Sequence, residues 1–427
     1  DEETTESRLI ALAAWMRQRY GSTMIQALRT VLPIQNKVKA KEKRYLVLTI
    51  KAEEGKKLLD QLSCTRYKAR TRLLAAMLER KVIPASEAAK DLGASASVLK
   101  YFQENAPEYH VMAAGSLLGI TLGKGQSFPV GKVNVMHLYP MDFEEFLMAA
   151  GETDLCDLLH QPDWEILKIL SLKYVDLLRQ YYYVGGMPEV VDCFFQHQNL
   201  QEVRDKQTEI LDAYRRDISK HTTATESIRI GQVLQSLPSQ LAKENKKFIY
   251  NVLKKGARAT EYELAIQWLM DAGLVHKVSR IKELQMPVKF YEDLGAFKLF
   301  LLDCGLLGCM TEAPASQMLV GDNVFKEFKG AFTEQFVLQQ LVAQGFSPYY
   351  WSSDKTPAEI DFVVQTEHRV IPVEVKAEEN VRARSMSEYI KNHPDYQLKG
   401  LRISMMGYQD QEWMENIPLF AITKFFG

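Results

Sequence analysis

Between Lys329 and Lys376 the spacing of apolar residues changes from a helical period to strand alternation. Phe332, Phe336, Leu338 and Leu341 fall on one face of a predicted helix, with Glu334 in its first turns. The runs EIDFVVQ and VIPVEVKA follow, rich in β-branched residues and separated by the polar turn TEHR, which predicts a hairpin. Strand side chains alternate, so Val373 and Val375 point to one side while Glu374 and Lys376 project together from the other. Asp361 opens the first strand and is placed to approach Glu374 across the hairpin.

Upstream the pattern is mostly helical. An amphipathic helix, a break at Gly21 and a second helix to Leu32 lead into a basic segment holding Lys37, Lys39, Lys41, Lys43 and Arg44. That cluster suits either phosphate neutralisation or a solvated loop. Three short helices are expected from Arg66 to Asn105, in the order of a helix-turn-helix. The stretch from Asp163 to Arg280 reads as helical, and NKKFIYNVLKKGARATEYELAIQWLMDAGLVHKV within it has the shape of a winged helix. Lys246, Lys247, Lys254, Lys255 and Arg258 make its expected first helix basic and a candidate DNA contact; Phe248, Ile249, Val252 and Leu253 equally make that helix a core stripe with a solvated lysine face.

Composition adds bounds. A chain of 427 residues, 46% hydrophobic and 25% charged, accommodates two to four globular domains. Net charge of −1 supplies no overall attraction to nucleic acid, so DNA contact has to come from local patches. The most apolar run, AFKLFLLDCGLLGCM, is interrupted by Lys298 and Asp303, so no membrane span is expected, and no signal peptide is read. Five cysteines, Cys64, Cys156, Cys193, Cys304 and Cys309, read as scattered thiols without CxxC or histidine partners at metal spacing, which points to a reducing, cytoplasmic setting. A first residue of Asp1 suggests a fragment or a processed product.

The hairpin carries the candidate chemistry. Two carboxylates can hold a hard cation such as Mg²⁺ with water and phosphate oxygens completing its shell, and a nearby lysine can offset charge developing on phosphate. A helix glutamate, then Asp, then Glu-x-Lys resembles the PD-(D/E)XK nuclease-like superfamily. The resemblance implies catalytic roles for Glu334, Asp361, Glu374 and Lys376, with Asp361 and Glu374 as metal ligands. The competing reading is an amphipathic hairpin with a solvated charged face.

Two further resemblances cover the remainder. YGSTMIQALRTVLPIQNKVKAKEKR and the helices after it resemble the N-terminal DNA-binding part of the bacterial primosomal replication-restart helicase. From LKYFQENAPEYHVMAAGSLLGI onward the chain resembles prokaryotic AAA-type ATPases with a C-terminal domain of unknown function and nuclease-like sequence. SFPVGKVNVMHLYPMDFEEFL, YYYVGGMPEVV, FKLFLLDCGLLGCM and the hairpin continue that likeness in order. It implies an ATP site in which Ser116 reads the γ-phosphate and Lys132 lies in the next loop, and it implies oligomerisation. From the residues alone, HVMAA is a buried-strand run and Gly115-Ser116 an exposed hydroxyl at its carboxyl end, or simply a strand-to-loop turn.

The phosphate-binding string Gly-x-x-x-x-Gly-Lys-Ser/Thr does not occur in the sequence. ASEAAKDLG stands where an acidic strand end is expected. The expectation is therefore a multidomain α/β protein: a helicase-like fragment over 1–98 joined near Val98, an AAA-type remnant over 99–160, a helical and winged-helix region over 161–285, and a nuclease-like α/β domain over 286–427. Its expected function is a DNA-associated protein of AAA-type ancestry that does not hydrolyse ATP. The alternatives are a non-catalytic interaction module for nucleic acid or protein, and a fusion of two gene fragments without integrated function.

Overall fold

The computed structural model describes residues 136–423 except 161, 244–245, 320–325 and 378–382, together with short stretches at 45–47, 56–57, 59, 74–76 and 82–84. The chain divides into two compact units, one formed by 36–138 with 271–273 and the other by the remainder. The join expected near Val98 lies outside the described residues. Within the first unit, β1 (Tyr45–Val47) and β2 (Val82–Pro84) pair antiparallel, with Leu46 opposite Ile83.

The second unit begins helically: α1 (Phe143–Ala149), α2 (Thr153–His160), α3 (Trp164–Ile169), α4 (Ser171–Val184), α5 (Pro188–His197), α6 (Leu200–His221), α7 (Ala224–Leu241) and α8 (Ala259–Asp271). Local chemistry sets several of the starts. Asp142 and Glu145 form a capping box on α1, Thr223 and Glu226 form one on α7, and Pro188 occupies the first turn of α5.

The strands and remaining helices follow as β3 (Val275–Ile281), β4 (Glu292–Leu301), α9 (Cys304–Met310), α10 (Ala315–Leu319), α11 (Lys326–Ala343), β5 (Tyr349–Ser352), β6 (Glu359–Gln365), β7 (Val370–Lys376), α12 (Arg384–Asn392), β8 (Gly400–Ser404), β9 (Gln409–Gln411) and β10 (Met414–Pro418). The strands form one mixed eight-stranded sheet in the order β4-β3-β5-β6-β7-β8-β10-β9. The architecture is therefore α/β. Because β3 and β4 belong to this sheet, the boundary expected at 285/286 falls between two of its paired strands.

Helix α11 buries far more than one apolar stripe. Phe332, Phe336, Leu338 and Leu341 are buried as the periodicity predicts, but so are Thr333, Glu334, Gln335, Gln339 and Gln340. The glutamines replace missing backbone partners: Gln335 accepts from Leu301 N at 3.0 Å and donates to Leu301 O at 2.6 Å, and Gln340 accepts from Phe143 N at 2.8 Å. On α12, Met386 and Tyr389 join Ile281, Ile360, Val363, Val370 and Met414 in a second apolar cluster.

The motifs YYYVGGMPEVV and FKLFLLDCGLLGCM meet at Asp303. Its carboxylate accepts from Gly186 N at 2.6 Å and, as the N-cap of α9, from Leu306 N at 2.8 Å. Gly185 has φ +78, and a Cβ there would stand 2.2 Å from Asp303 Oδ1, so glycine is required on both counts.

The basic segment expected as the first winged-helix helix is not helical. Residues 246–249 have no regular secondary structure, Phe248 N bonds Phe297 O at 2.8 Å, and a 3₁₀ turn at Tyr250–Val252 follows. Phe248 is buried, whereas Ile249 and Val252 are exposed, because one anchoring ring in an irregular segment replaces a helical stripe. Among the described residues no helix is long and apolar enough to cross a membrane.

Candidate functional site

The predicted hairpin forms as β6 and β7, with Gln365 opposite Val370 and Phe362 opposite Val373. One step further along this register Asp361 lies beside Glu374. On the other side of β6, the step from Tyr349 to Trp351 of β5 spans the longer step from Val363 to Ile360, so Asp361 sits at a bulge. Bulges re-aim side chains, and here the Asp361 carboxylate turns onto the neighbouring strand, where Oδ2 accepts from Val375 N at 2.8 Å. Val375 is the residue between Glu374 and Lys376.

Lys376 Nζ pairs with Glu374 Oε1 at 2.7 Å, while Glu374 Oε2 is buried without a hydrogen-bond partner. From α11, Glu334 Oε1 meets Lys246 Nζ at 2.7 Å, and Glu334 Oε2 lies 4.0 Å from Lys298 Nζ. Lys298, fully buried on β4, also pairs with Glu359 and sits 4.8 Å from the centre of the Tyr350 ring. The structure thus groups Glu334, Asp361, Glu374 and Lys376 and adds Glu359, Lys246 and Lys298.

The electrostatics separate the carboxylates. Burial, followed by the charges of Glu334 and Glu374, pushes the Asp361 carboxyl up to about 8. Burial also raises Glu374, against the pull of Lys376. Burial would raise Glu334 as well, but Lys246, Lys298 and Lys376 outweigh it and hold that carboxyl below the ordinary glutamate value. For Lys376, burial disfavours the charge, yet Asp361, Glu374 and Glu334 overcome it and keep the ammonium above the usual lysine value.

Parallel pairing extends the polar row. Glu374 lies opposite Arg402 and Lys376 opposite Ser404 on β8, and Asn416 Oδ1 on β10 accepts from Arg402 Nε and Ser404 Oγ, each at 2.7 Å. The polar alternation of Arg402 and Ser404 between Leu401 and Ile403 is the signal in the sequence that marks them.

Other expected residues fall elsewhere. Lys246, expected as a DNA contact, is only partly exposed and pairs with Glu334. Lys247, Lys254, Lys255 and Arg258 are exposed. Ser116, Lys132, Lys37, Lys39, Lys41, Lys43 and Arg44 lie outside the described residues. The cysteine reading is also corrected. Cys156 and His160 on α2, and Cys193 and His197 on α5, are each four apart on one helix, with Glu144 and Glu202 respectively completing sets of donor atoms within 4.8 Å. Glu334, Asp361 and Glu374 are not among the sets drawn this close in the described residues.

Family models match three parts of the chain. An AAA domain matches residues 31–147, and two domains of unknown function match 175–317 (DUF8612) and 329–425 (DUF4143). No curated protein and no solved structure matches it. The AAA likeness begins at residue 31, well inside the stretch assigned from sequence to a helicase-like fragment. Glu334, Asp361, Glu374 and Lys376 all lie within the C-terminal match.

Proposed function

We propose that the sheet around β6 and β7 is a divalent-cation site for phosphodiester cleavage in DNA, carried by a protein of AAA-type ancestry. The observation that supports this reading most is the Asp361 to Val375 hydrogen bond beside Glu374, whose Oε2 is buried without a partner. A buried carboxylate oxygen lacking a donor is costly, and a hard cation is a partner that removes the cost. The donor set is oxygen only, which suits Mg²⁺ or Mn²⁺.

Asp361 and Glu374 would hold the ion, which when bound supplies Lewis acidity and a more acidic water. Asp361 has to surrender its proton for this, so metal affinity rises with pH toward 8. Lys376 enters as an ammonium, and its role is to stabilise charge on phosphate and orient the attacking water. Glu334, ionised and held by Lys246, orders the lysines around the site. The exposed Lys247, Lys254, Lys255 and Arg258 are proposed DNA contacts.

One observation favours a second reading, a non-catalytic interaction module. Glu334 and Glu359 already have lysine partners, and Lys376 covers one oxygen of Glu374, so the site is largely compensated without an ion. Calorimetric titration with Mn²⁺ separates the two. The cleavage reading expects saturable binding that Asp361→Asn and Glu374→Gln each abolish; no binding by the wild type would leave the interaction module.

A further inference from the structure

A second cluster, on α1 and α2, is chemically unlike the first. Cys156 and His160 are four residues apart on α2 and therefore share a face, and Glu144 reaches them from α1. One donor atom from each, Sγ, a ring nitrogen and a carboxylate oxygen, lies within 4.8 Å of the others. We propose that Glu144, Cys156 and His160 form a binding site for Zn²⁺ or a similar borderline transition metal, clamping α1 to α2.

Three observations carry the proposal. His160 Nε2 stands 3.4 Å from Glu144 Oε2. Two ligands about 2.0–2.1 Å from a tetrahedral Zn²⁺ are separated by about 3.3–3.4 Å, so this spacing fits two adjacent ligand positions. Next, the other carboxylate oxygen, Glu144 Oε1, accepts a hydrogen bond from Thr423 Oγ1, which fixes the carboxylate with Oε2 toward His160. Outer hydrogen bonds of this kind orient metal ligands. Finally, the solvent access is graded: Cys156 is fully buried, the Glu144 side chain is 7% exposed and that of His160 is 51% exposed, so an ion has a way in past the imidazole.

Sulfur, imidazole and carboxylate together select Zn²⁺, Co²⁺ or Cu²⁺ over Mg²⁺. Binding replaces the Cys156 thiol proton, which now points to Glu144 O at 3.4 Å, and releases it to solvent. Three protein ligands leave a fourth position for water or another small donor. The companion cluster is less suited, because His197 Nδ1 and Glu202 Oε2 already share a hydrogen bond at 2.5 Å and the whole set is partly or fully exposed.

The test is a titration of the full, reduced chain with Co²⁺ alone, followed by absorption spectroscopy and displacement with Zn²⁺. The proposal expects one equivalent giving tetrahedral d–d bands and a thiolate charge-transfer band, both removed by Zn²⁺. Cys156→Ser should abolish the charge-transfer band. His160→Gln, at a half-exposed position that leaves the core intact, should weaken binding at least tenfold, and Cys193→Ser should change nothing. A wild type without the thiolate band, a band that survives both Cys156→Ser and His160→Gln, or one lost only in Cys193→Ser overturns the assignment.

Discussion

The carboxylate of Asp361 accepts a hydrogen bond at 2.8 Å from the backbone N–H of Val375, and this contact couples the bulge in β6 to the strand segment that displays Glu374 and Lys376. It fixes the relative height of the two carboxylates without help from an ion. In metal-free buffer it also has a cost that depends on pH. Asp361 binds its proton more tightly folded, at about 8, than unfolded, at the ordinary 3.8. The stabilisation is complete below 3.8 and is lost as pH rises through 8. Asp361→Asn should therefore gain on the wild type in metal-free thermal melts between pH 4 and pH 8, and the gap should shrink when Mn²⁺ is added. Melting curves that run parallel across this range would contradict the buried, anion-surrounded carboxyl.

Lys298 is the hidden half of the same site. It is fully buried and ion-paired with Glu359 and Glu334, so Lys298→Ala leaves buried carboxylates uncompensated and should destabilise the fold by about 3–5 kcal/mol. Denaturant unfolding measures this, and Lys298→Met should differ little, since it restores packing but not charge.

A third expectation concerns Asp303, which gathers Gly186 N and Leu306 N in the interior. Asp303→Ala strips the acceptor from these two buried backbone donors and from Gln339 Nε2, and should cost about 2–4 kcal/mol by equilibrium unfolding. Loss of less than about 1 kcal/mol would mean that water or neighbouring groups replace the carboxylate.

How much of this was legible is shown by the run AFKLFLLDCGLLGCM. Lys298 and Asp303 stand out in it as interruptions that argue against a membrane span, yet the same oddity marks two fully buried charges. Their partners, Glu334 on α11 and Gly186 after α4, are far away in the chain, and only the fold brings them close. The hairpin was readable because alternation and turn chemistry are local. The Lys246 to Glu334 pair was hidden for the complementary reason: a lysine run looks solvated, and nothing local reveals that one member turns inward to Glu334. The Cys-x-x-x-His pairs were written in the sequence at helical spacing, but each glutamate that completes a set comes from another helix.

His276 on β3 gives a second pH signature. Burial lowers its imidazole to about 4 from the ordinary 6.5. Its contribution is complete above 6.5 and falls as pH drops toward 4, where the unfolded chain takes up a proton that the folded one refuses. Unfolding free energy should decline by up to about 1.4 kcal/mol per pH unit over this window from this group, and His276→Phe should flatten that decline.

The central claim is most directly tested by the wild-type chain with single- and double-stranded DNA in a Mg²⁺ and Mn²⁺ titration, scored for cut products on a denaturing gel. The account predicts cleavage that requires the metal, is abolished in Asp361→Asn and Glu374→Gln, and falls by about 10²-fold or more in Lys376→Ala with metal affinity retained. Wild-type protein that binds Mn²⁺ yet leaves both substrates intact, or variants that cut as well as the wild type, would contradict it.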